Sequence, residues 1–600
     1  MEILTKYLQD IKNNSNINTD DIMLEESKDF KKILKVKLNG KFKYIGSKYK
    51  NQGDINEFCE KFKDINVETS IIVFGLSTGE HIEKLRKKIG EFNRILVVEP
   101  DKRILKKFLE LESSREILQD DRISLVGIDN EQLKNSLHYF LGYLEDYNNF
   151  RFSVYVNYDQ IYLLEFKDFL RSLEITLRFF QTNLATEIFY GENFMETYLK
   201  NLKYISESLT INEFKNKFNG FTAVLVSAGP SLEKNISELK TLNDNVIIIC
   251  GNRTLKPLID NGIKPHFMCA IDFSEPIYQM CSQYMDKCIP LVFTETTNNT
   301  LVKNQIGKKI FFQCGASKTN IKNIIFKDVD KLYSGGSVAH TCMDFARYLG
   351  CDKIIFIGQD LAYTNDKHHA DITNIKYDDE VNYYCNLIEV EGIFGDKIYT
   401  SLSLKYFKEQ FENYIKSHNN LTFVNSTEGG ANIKGTIVMD LKTSLKKYCI
   451  KSAVKNKINK ILEEVNGTIK LDVVRNNILE NYSEIEKIYK NMKKANNSIE
   501  NTLKTENLNE MNRTYELIKK LNYKIDNSSG IDLIDFLMCN IVSKTANNFR
   551  YKQSKSEVEN LKKILKAFNA FYLVFMKYLE EVLPKIKQCI ESLEDDRNEI

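Results

Sequence analysis

The sequence predicts three successive parts: a Rossmann-like α/β domain over residues 1–215, a second α/β domain with a mostly parallel sheet over 216–440, and an all-helical region over 441–600. Three observations predict it. Short, continuously apolar runs alternate with helical stretches before residue 440, and strands buried on both faces read that way. Five of the seven prolines lie between Pro230 and Pro290, whereas from residue 441 onward there are only Pro584, Gly467 and Gly530, so little there interrupts helix. Finally, 600 residues exceed what one hydrophobic core holds.

In the first part, a strand over 71–74 runs into Gly75-Leu76-Ser77-Thr78-Gly79, and after a helix a second strand over 95–98 runs into Glu99-Pro100-Asp101. Glu99 lies 20 residues after Gly79, the distance of a ribose-binding acid in dinucleotide or S-adenosylmethionine folds. The third glycine is missing, and a structural role is the preferred reading. In the second part the expected strands are 223–226, 246–249, 267–271, 291–294, 310–313, 354–357 and 422–424. In the third, Leu561, Ile564, Leu565, Phe568, Phe571, Phe575, Met576, Leu579 and Val582 recur at helical spacing. This stripe is read as core of a helical bundle or hairpin, ahead of a groove for a partner helix.

Composition excludes some classes. With 84 basic and 82 acidic residues the net charge is +2, which gives no electrostatic case for nucleic acid. No apolar run approaches the roughly 18–20 residues that span a bilayer. The opening MEILTKYLQDIKNN lacks an apolar signal core, so a cytoplasmic location is expected. Twelve cysteines, none in a CxxC pair, read as reduced core residues and not as a disulfide frame or zinc site.

The residues that carry chemistry gather where strands end. Ser227-Ala228-Gly229-Pro230-Ser231 follows a buried strand and opens a helix: Gly229 permits the turn, Pro230 suits a helix entrance, and Ser231 is expected to cap the next amides. Such a turn presents backbone N–H groups to a phosphate. The next strand ends in Asn252 and Arg253, able to reach a sugar or base edge and a phosphate or carboxylate, and the third ends in Asp272. Ser334-Gly335-Gly336-Ser337 precedes a helix and makes a second anion cradle. The strand after it ends in Gln359, Asp360 and Tyr363, with His368 and His369 in the following loop. Open α/β sheets bind ligands at this edge.

The runs VSAGPSLEKN, ICGNRTLKPLIDNGIKPHF, AIDFSE, YSGGSVAHTCMDFARYLGCDKIIFIGQDLAYTNDKHHA, EVEGIFGDKIYTSLSLKYFKEQFENYI and NSTEGGANIKGT resemble, in order, the central domain of motility-accessory-factor (Maf) flagellin glycosyltransferases. The flanks match that family's three-part layout more loosely. The central motifs are also similar to bacterial sialyltransferases, an inverting class with a GT-A-like fold. The resemblance implies a cytoplasmic enzyme that moves a nonulosonic acid of the pseudaminic or legionaminic class from its CMP donor to Ser or Thr of flagellin. It carries Gly229, Pro230, Ser231, Asn252, Ser337, Asp360 and Tyr363 over to the donor site, with Ser227, Arg253, Asp272, Ser334, Gly335, Gly336, Gln359 and Glu428 beside them. Asp360, Tyr363 and His369 are the catalytic candidates. The sialyltransferase histidine has no counterpart, because no histidine lies between His369 and His418; His369 is the substitute base, with Asp360 and Glu428 behind it. His266 and His340 are read as packing or capping residues. No cofactor or structural metal is required, although Asp272 would hold Mg²⁺ if one were used.

Three other readings compete. The same broader family resembles 6-hydroxymethylpterin diphosphokinases, which need ATP and Mg²⁺ bridged by carboxylates such as Asp272 and Asp360. A flagellin-binding escort with a vestigial site is the non-enzyme alternative, and a methyltransferase is the last. The long flanks favour a protein acceptor, held beside the site, over a small substrate.

Overall fold

The computed structural model describes residues 2–111, 114–128, 130–142, 149–241, 244–315, 321–363, 367, 369–373, 387–449, 453–464, 471–505 and 507–595. Contacts divide the chain into two compact units. The first comprises Met1–Gly191, Glu486–Asn527 and Leu537–Glu580. It contains an antiparallel sheet of β1 (Ile22–Glu26), β2 (Lys32–Leu38) and β3 (Lys41–Tyr44). A parallel sheet follows, built from β4 (Ser70–Phe74), β5 (Arg94–Glu99), β6 (Ile123–Gly127) and β7 (Phe150–Val154) in the order β6-β5-β4-β7. The chain winds outward from β4 to β6 and then returns to the far side of β4, so the topological switch lies between β4 and β7. Ile71, Ile72, Val73 and Phe74 are wholly buried, as a central strand covered on both faces requires.

The second unit comprises Glu192–Ile485, Ser528–Phe536 and Glu581–Ile600. Its strands are β8 (Leu209–Thr210), β9 (Thr222–Val226), β10 (Ile247–Gly251), β11 (Phe267–Ala270), β12 (Leu291–Phe293), β13 (Lys309–Phe311), β14 (Gln313–Cys314), β15 (Lys331–Leu332), β16 (Lys353–Ile357), β17 (Ile388–Glu391), β18 (Lys397–Thr400), β19 (Thr422–Asn425) and β20 (Ile437–Val438). Nine of them form one sheet in the order β20-β19-β16-β9-β10-β11-β12-β13-β8. Every pair in it is parallel. β14 pairs with β15, and β17 with β18 as a hairpin. β9 stands at the switch, with β10 on one side and β16 on the other. The helix Val338–Tyr348 covers β9, β10 and β11, its Phe345 meeting Phe267 edge-on at 5.1 Å.

From Leu441 the described residues are helical: Leu441–Tyr448, Val454–Glu464, Leu471–Thr505, Leu508–Asp526, Ser529–Leu533, Asp535–Phe549 and Glu557–Asp595. Pro584 lies inside the last of these without ending it. Of the apolar stripe, Leu561, Ile564, Leu565, Phe575, Met576, Leu579 and Val582 are buried and Phe568 and Phe571 half-buried, as expected of core. No helix among the described residues is long and apolar enough to cross a membrane.

Candidate functional site at the switch of the nine-stranded sheet

The strands of the second unit are parallel, so their C-terminal ends share one edge, and the polar residues predicted from sequence collect there. The loops after β9 and β16 are tied together. Ser227 N donates to Ile357 O at 2.9 Å and Gly229 N to Gly358 O at 2.8 Å. The Ser227 hydroxyl donates to Gln359 Oε1 at 2.5 Å. Asp360, 1% exposed, receives Ser231 N on Oδ2 at 2.9 Å and the Ser231 hydroxyl on Oδ1 at 2.5 Å. Burial pushes the Asp360 carboxyl above the usual range, and the two bonds from Ser231 oppose that. A Cβ on Gly229 would lie 2.6 Å from Asp360 Cγ, so only glycine lets the two loops approach this closely.

This geometry corrects one expectation. Ser231 makes no side-chain cap to the following helix; its hydroxyl donates instead to Asp360. The amides of Gly229, Ser231 and Leu232 likewise donate to protein acceptors, so this turn braces the site through Asp360 instead of presenting those amides to an anion.

The loop after β19 completes this corner. Ala431 N donates to Asp360 O at 2.7 Å, and Lys234 Nζ to Glu428 O at 2.7 Å, leaving the Glu428 side chain half-buried nearby. Ala370 N donates to Ala228 O at 2.8 Å, which brings the half-buried His369 to the loop after β9. Tyr363 N donates to Tyr399 O on β18 at 2.9 Å. His368 lies outside the described residues.

The edge continues through Thr254, whose hydroxyl lies 3.0 Å from Val226 O and 3.1 Å from Gly251 O and so joins the ends of β9 and β10. Asn252 starts the helix Asn252–Asp260 and is 8% exposed, its Nδ2 3.2 Å from Met280 Sδ; Arg253 beside it is half-buried. Gly251 faces Val338, so the second glycine-rich loop, Ser334–Ser337, stands next to Asn252. Ser337 Oγ accepts weakly from Ala339 N at 3.4 Å. Asp272 is solvent-accessible yet surrounded by protein, and that desolvation pushes its carboxyl upward.

Sequence reasoning missed two features. Glu295, just past β12, is 2% exposed; it accepts from the Thr294 hydroxyl and from Cys314 N, and Cys314 Sγ lies 3.1 Å from Ser334 Oγ. The run LVFTE carried the signal, since it ends in polar residues like its neighbours. The second feature is a brace behind the glycine-rich loop. Asp344 accepts from Tyr333 N at 2.8 Å, the Tyr414 hydroxyl at 2.5 Å and Arg347 Nε at 2.6 Å. His340 Nε2 sits 3.0 Å from Phe407 O, and His266 Nδ1 accepts from Ile248 N at 3.0 Å; both have structural roles.

The first unit does not fit a dinucleotide or S-adenosylmethionine. Glu99 is fully buried and accepts from Leu76 N at 2.9 Å, Asp101 N at 2.9 Å and the Tyr158 hydroxyl at 2.8 Å, so it turns no face to a ribose. The Tyr158 ring fills the space over Gly75, and its oxygen also receives Ser77 N at 2.7 Å.

Comparison with known proteins agrees with the fold. A family model described as 6-hydroxymethylpterin diphosphokinase MptE-like matches residues 196–366, the stretch from before β8 to just past β16. Among solved structures, a Maf glycosyltransferase from Magnetospirillum magneticum AMB-1 superposes with a TM-score of 0.61 at 13% identity, covering 100% of this chain and 99% of that one. None of the curated proteins matches the sequence. The α/β, α/β and all-helical layout expected from the Maf resemblance is thus the fold of the whole chain.

Proposed function

We propose that the protein is a glycosyltransferase, and more finely one that moves a nonulosonic acid from a CMP donor to Ser or Thr hydroxyls of flagellin. The observation that carries the reading is the end-to-end fold likeness to a Maf glycosyltransferase, which extends across both flanks as well as the central sheet. The polar edge at the β9–β16 switch supports it. In this reading Asn252 contacts the nucleotide, and Arg253 with the Ser334–Ser337 loop faces the phosphate. Tyr363 donates to that phosphate as it leaves. His369 takes the proton of the acceptor hydroxyl while the new bond forms at the anomeric carbon and the bond to the CMP phosphate breaks. Asp360 is a positioning residue that holds the loops after β9 and β16 in register. Asp272, Gln359 and Glu428 complete the rim. No metal is needed for this scheme, because protein donors meet the charge of the phosphate, and Asp272 remains the candidate Mg²⁺ ligand. A cytoplasmic location and flagellin held by the flanks belong to the same proposal.

The test is the intact mass of flagellin after incubation with the protein and CMP-nonulosonic acids. Sugar-sized increments that vanish in Asn252→Ala are the expected result. Flagellin binding without any increment would replace the reading with the escort. The match over 196–366 favours one second reading, a pterin diphosphokinase. ATP-dependent diphosphorylation of 6-hydroxymethylpterin, with no transfer to flagellin, would establish that instead. Both oxygens of Asp360 already accept from Ser231, so a metal there would compete with those two bonds.

A further inference from the structure

We propose that the first unit docks on an anionic phospholipid surface through the turn between β1 and β2 and the lysine-rich sheet face beside it. Residues 22–50 hold nine lysines, no arginine and three acidic residues, a net +6 in a chain whose total is +2. The rest of the chain is therefore net acidic, and this stretch concentrates the positive charge. The strand pairing decides where that charge points. Met23 lies opposite Lys35, Lys35 opposite Tyr44, and Lys37 opposite Phe42. These side chains share the outer face, because Ile22 and Val36 on the other face are buried in the core. Glu25 on the outer face is already neutralised: it accepts from Lys35 Nζ at 3.1 Å and from the Tyr44 hydroxyl at 2.7 Å. Asp29 is held by the Ser27 hydroxyl at 2.6 Å and Gln52 N at 2.8 Å. Among the described residues, Lys28, Lys32, Lys41, Lys43 and Lys50 form no ion pair, and all five are exposed.

The turn adds a second, independent observation. Phe30 is 83% exposed and has a φ of 62. A bulky side chain is costly in that left-handed conformation, where glycine or asparagine would sit freely. The turn fixes it there: Phe30 N donates to Ser27 O at 3.0 Å and Lys31 N to Ser27 Oγ at 3.0 Å. Lys28 N donates to Lys48 O at 2.8 Å, which brings Tyr49, 63% exposed, beside the turn. Two outward aromatic rings thus stand at one end of the sheet among Lys28, Lys32 and Lys50. Strain that no packing offsets is expected where function uses the side chain. Lysines on an edge strand guard against unwanted pairing, which accounts for Lys41 and Lys43 on β3 but calls for neither Phe30 nor Tyr49.

The chemistry selects among anionic partners. Recognition of a single phosphate or carboxylate favours the arginine fork, and this stretch has only the point charges of lysine. A single-stranded nucleic acid stacks its bases on open rings. Here Phe42, Tyr44 and Tyr49 each already carry an ammonium, Lys35 Nζ lying 5.3 Å from the centre of the first ring and 5.1 Å from the second, and Lys28 Nζ 4.4 Å from the third. An acidic peptide would engage the lysines and leave Phe30 in water. A lipid surface uses both features, because lysines meet the headgroup charge while an aromatic side chain enters at headgroup level.

The experiment is co-sedimentation of the full-length protein with vesicles of phosphatidylcholine alone and of equal parts phosphatidylcholine and phosphatidylglycerol. Binding to the anionic vesicles only is the expected result. It should fall as salt rises from about 0.1 M to about 1 M, which shortens the screening length from about 10 Å to about 3 Å. Replacing Lys28, Lys32 and Lys50 together by Gln should weaken it about tenfold or more. Phe30→Asn should weaken it about tenfold while leaving the urea midpoint unchanged or raised, since asparagine tolerates the turn conformation. The chain has no tryptophan, so Phe30→Trp supplies a single reporter whose emission should shift to the blue on anionic vesicles. The proposal is overturned if the protein ignores anionic vesicles or binds neutral ones equally. It is also overturned if binding is unmoved by either the triple-lysine or the Phe30→Asn variant, or if the tryptophan emission stays fixed. Binding of polyglutamate or a single-stranded oligonucleotide in place of vesicles would overturn it as well.

Discussion

Asp360 and Glu99 are both buried carboxylates at the ends of parallel strands, yet they do opposite things. Asp360 joins two loops at an open edge, whereas Glu99 seals its own. Asp360→Ala would strand the amide and hydroxyl of Ser231, at about 1–3 kcal/mol for each buried group left unpaired. Its urea midpoint, followed by circular dichroism, should fall clearly below that of Asp360→Asn, which keeps one acceptor; equal midpoints would remove Asp360 from its bracing role. Glu99 gives a pH prediction. Burial pushes its carboxyl up to about 8 against the donors from Asp101, Leu76 and Tyr158. The folded state therefore holds a proton the unfolded state has released, and the associated stability, complete below the unfolded value near 4.5, is lost as pH rises through about 8. Burial lowers His81 to about 3 and His340 to about 4, so their contributions are complete above 6.5. Between about pH 6.5 and 8 only Glu99 among these groups acts, and stability should decline by at most about 1.4 kcal/mol per pH unit. Glu99→Gln should flatten that decline in urea midpoints measured across the window.

At the scale of elements, the fit between loops is set by glycines that share a backbone conformation but not a neighbourhood. Gly430 and Gly395 have φ of 84 and 82. A Cβ on Gly430 would run into the backbone of Asp360, whereas one on Gly395 meets nothing within 4 Å. Gly395→Ala should cost only the left-handed penalty of about 1–2 kcal/mol. Gly430→Ala should cost more, because it separates the loops after β19 and β16, and on the proposed function it should also weaken binding of the CMP donor; matching losses in midpoint would contradict this account. Elements also mark what the sequence could reveal. β4, β5, β9, β10, β12 and β16 are fully or almost fully buried, and their unbroken apolar runs made them legible. The strands β1, β2 and β3 are partly exposed, β2 and β3 being lysine-rich, β7 is half-exposed, and β8 and β20 have two residues each, too few to show a period. The candidate site was legible as a set of strand ends. The direction of its side chains was not, because Ser231 and Asp360 meet across 129 residues and no local pattern encodes that pairing.

For the whole molecule, the two units draw on separated stretches of chain, and the helical residues after 441 are divided between them. No composition shift in the sequence announces that division, since both shares have the same helical pattern. The cysteines report on packing throughout the chain. Of those described, Cys288 alone is exposed, while Cys250, Cys269 and Cys351 are buried, with thiols pushed upward by desolvation, Cys281 to about 12. Brief iodoacetamide treatment of the native protein, read by peptide mass spectrometry, should label Cys288 well before these four. Early labelling of Cys250 or Cys269 would mean that the sheet opens far more readily than its burial implies.

The position of β9 has a consequence for synthesis. It takes β10 as a neighbour soon after both are made, but its other neighbour, β16, begins only at Lys353, opposite Thr222. Roughly 130 residues must leave the ribosome in between, on the order of 10 s at ordinary elongation rates. Throughout that interval one side of a strand that is apolar from Ala223 to Val226 offers unpaired amides and carbonyls to whatever is nearby. A nascent chain of this protein is therefore a natural client for chaperones that shield strand edges, and slower translation prolongs its exposure.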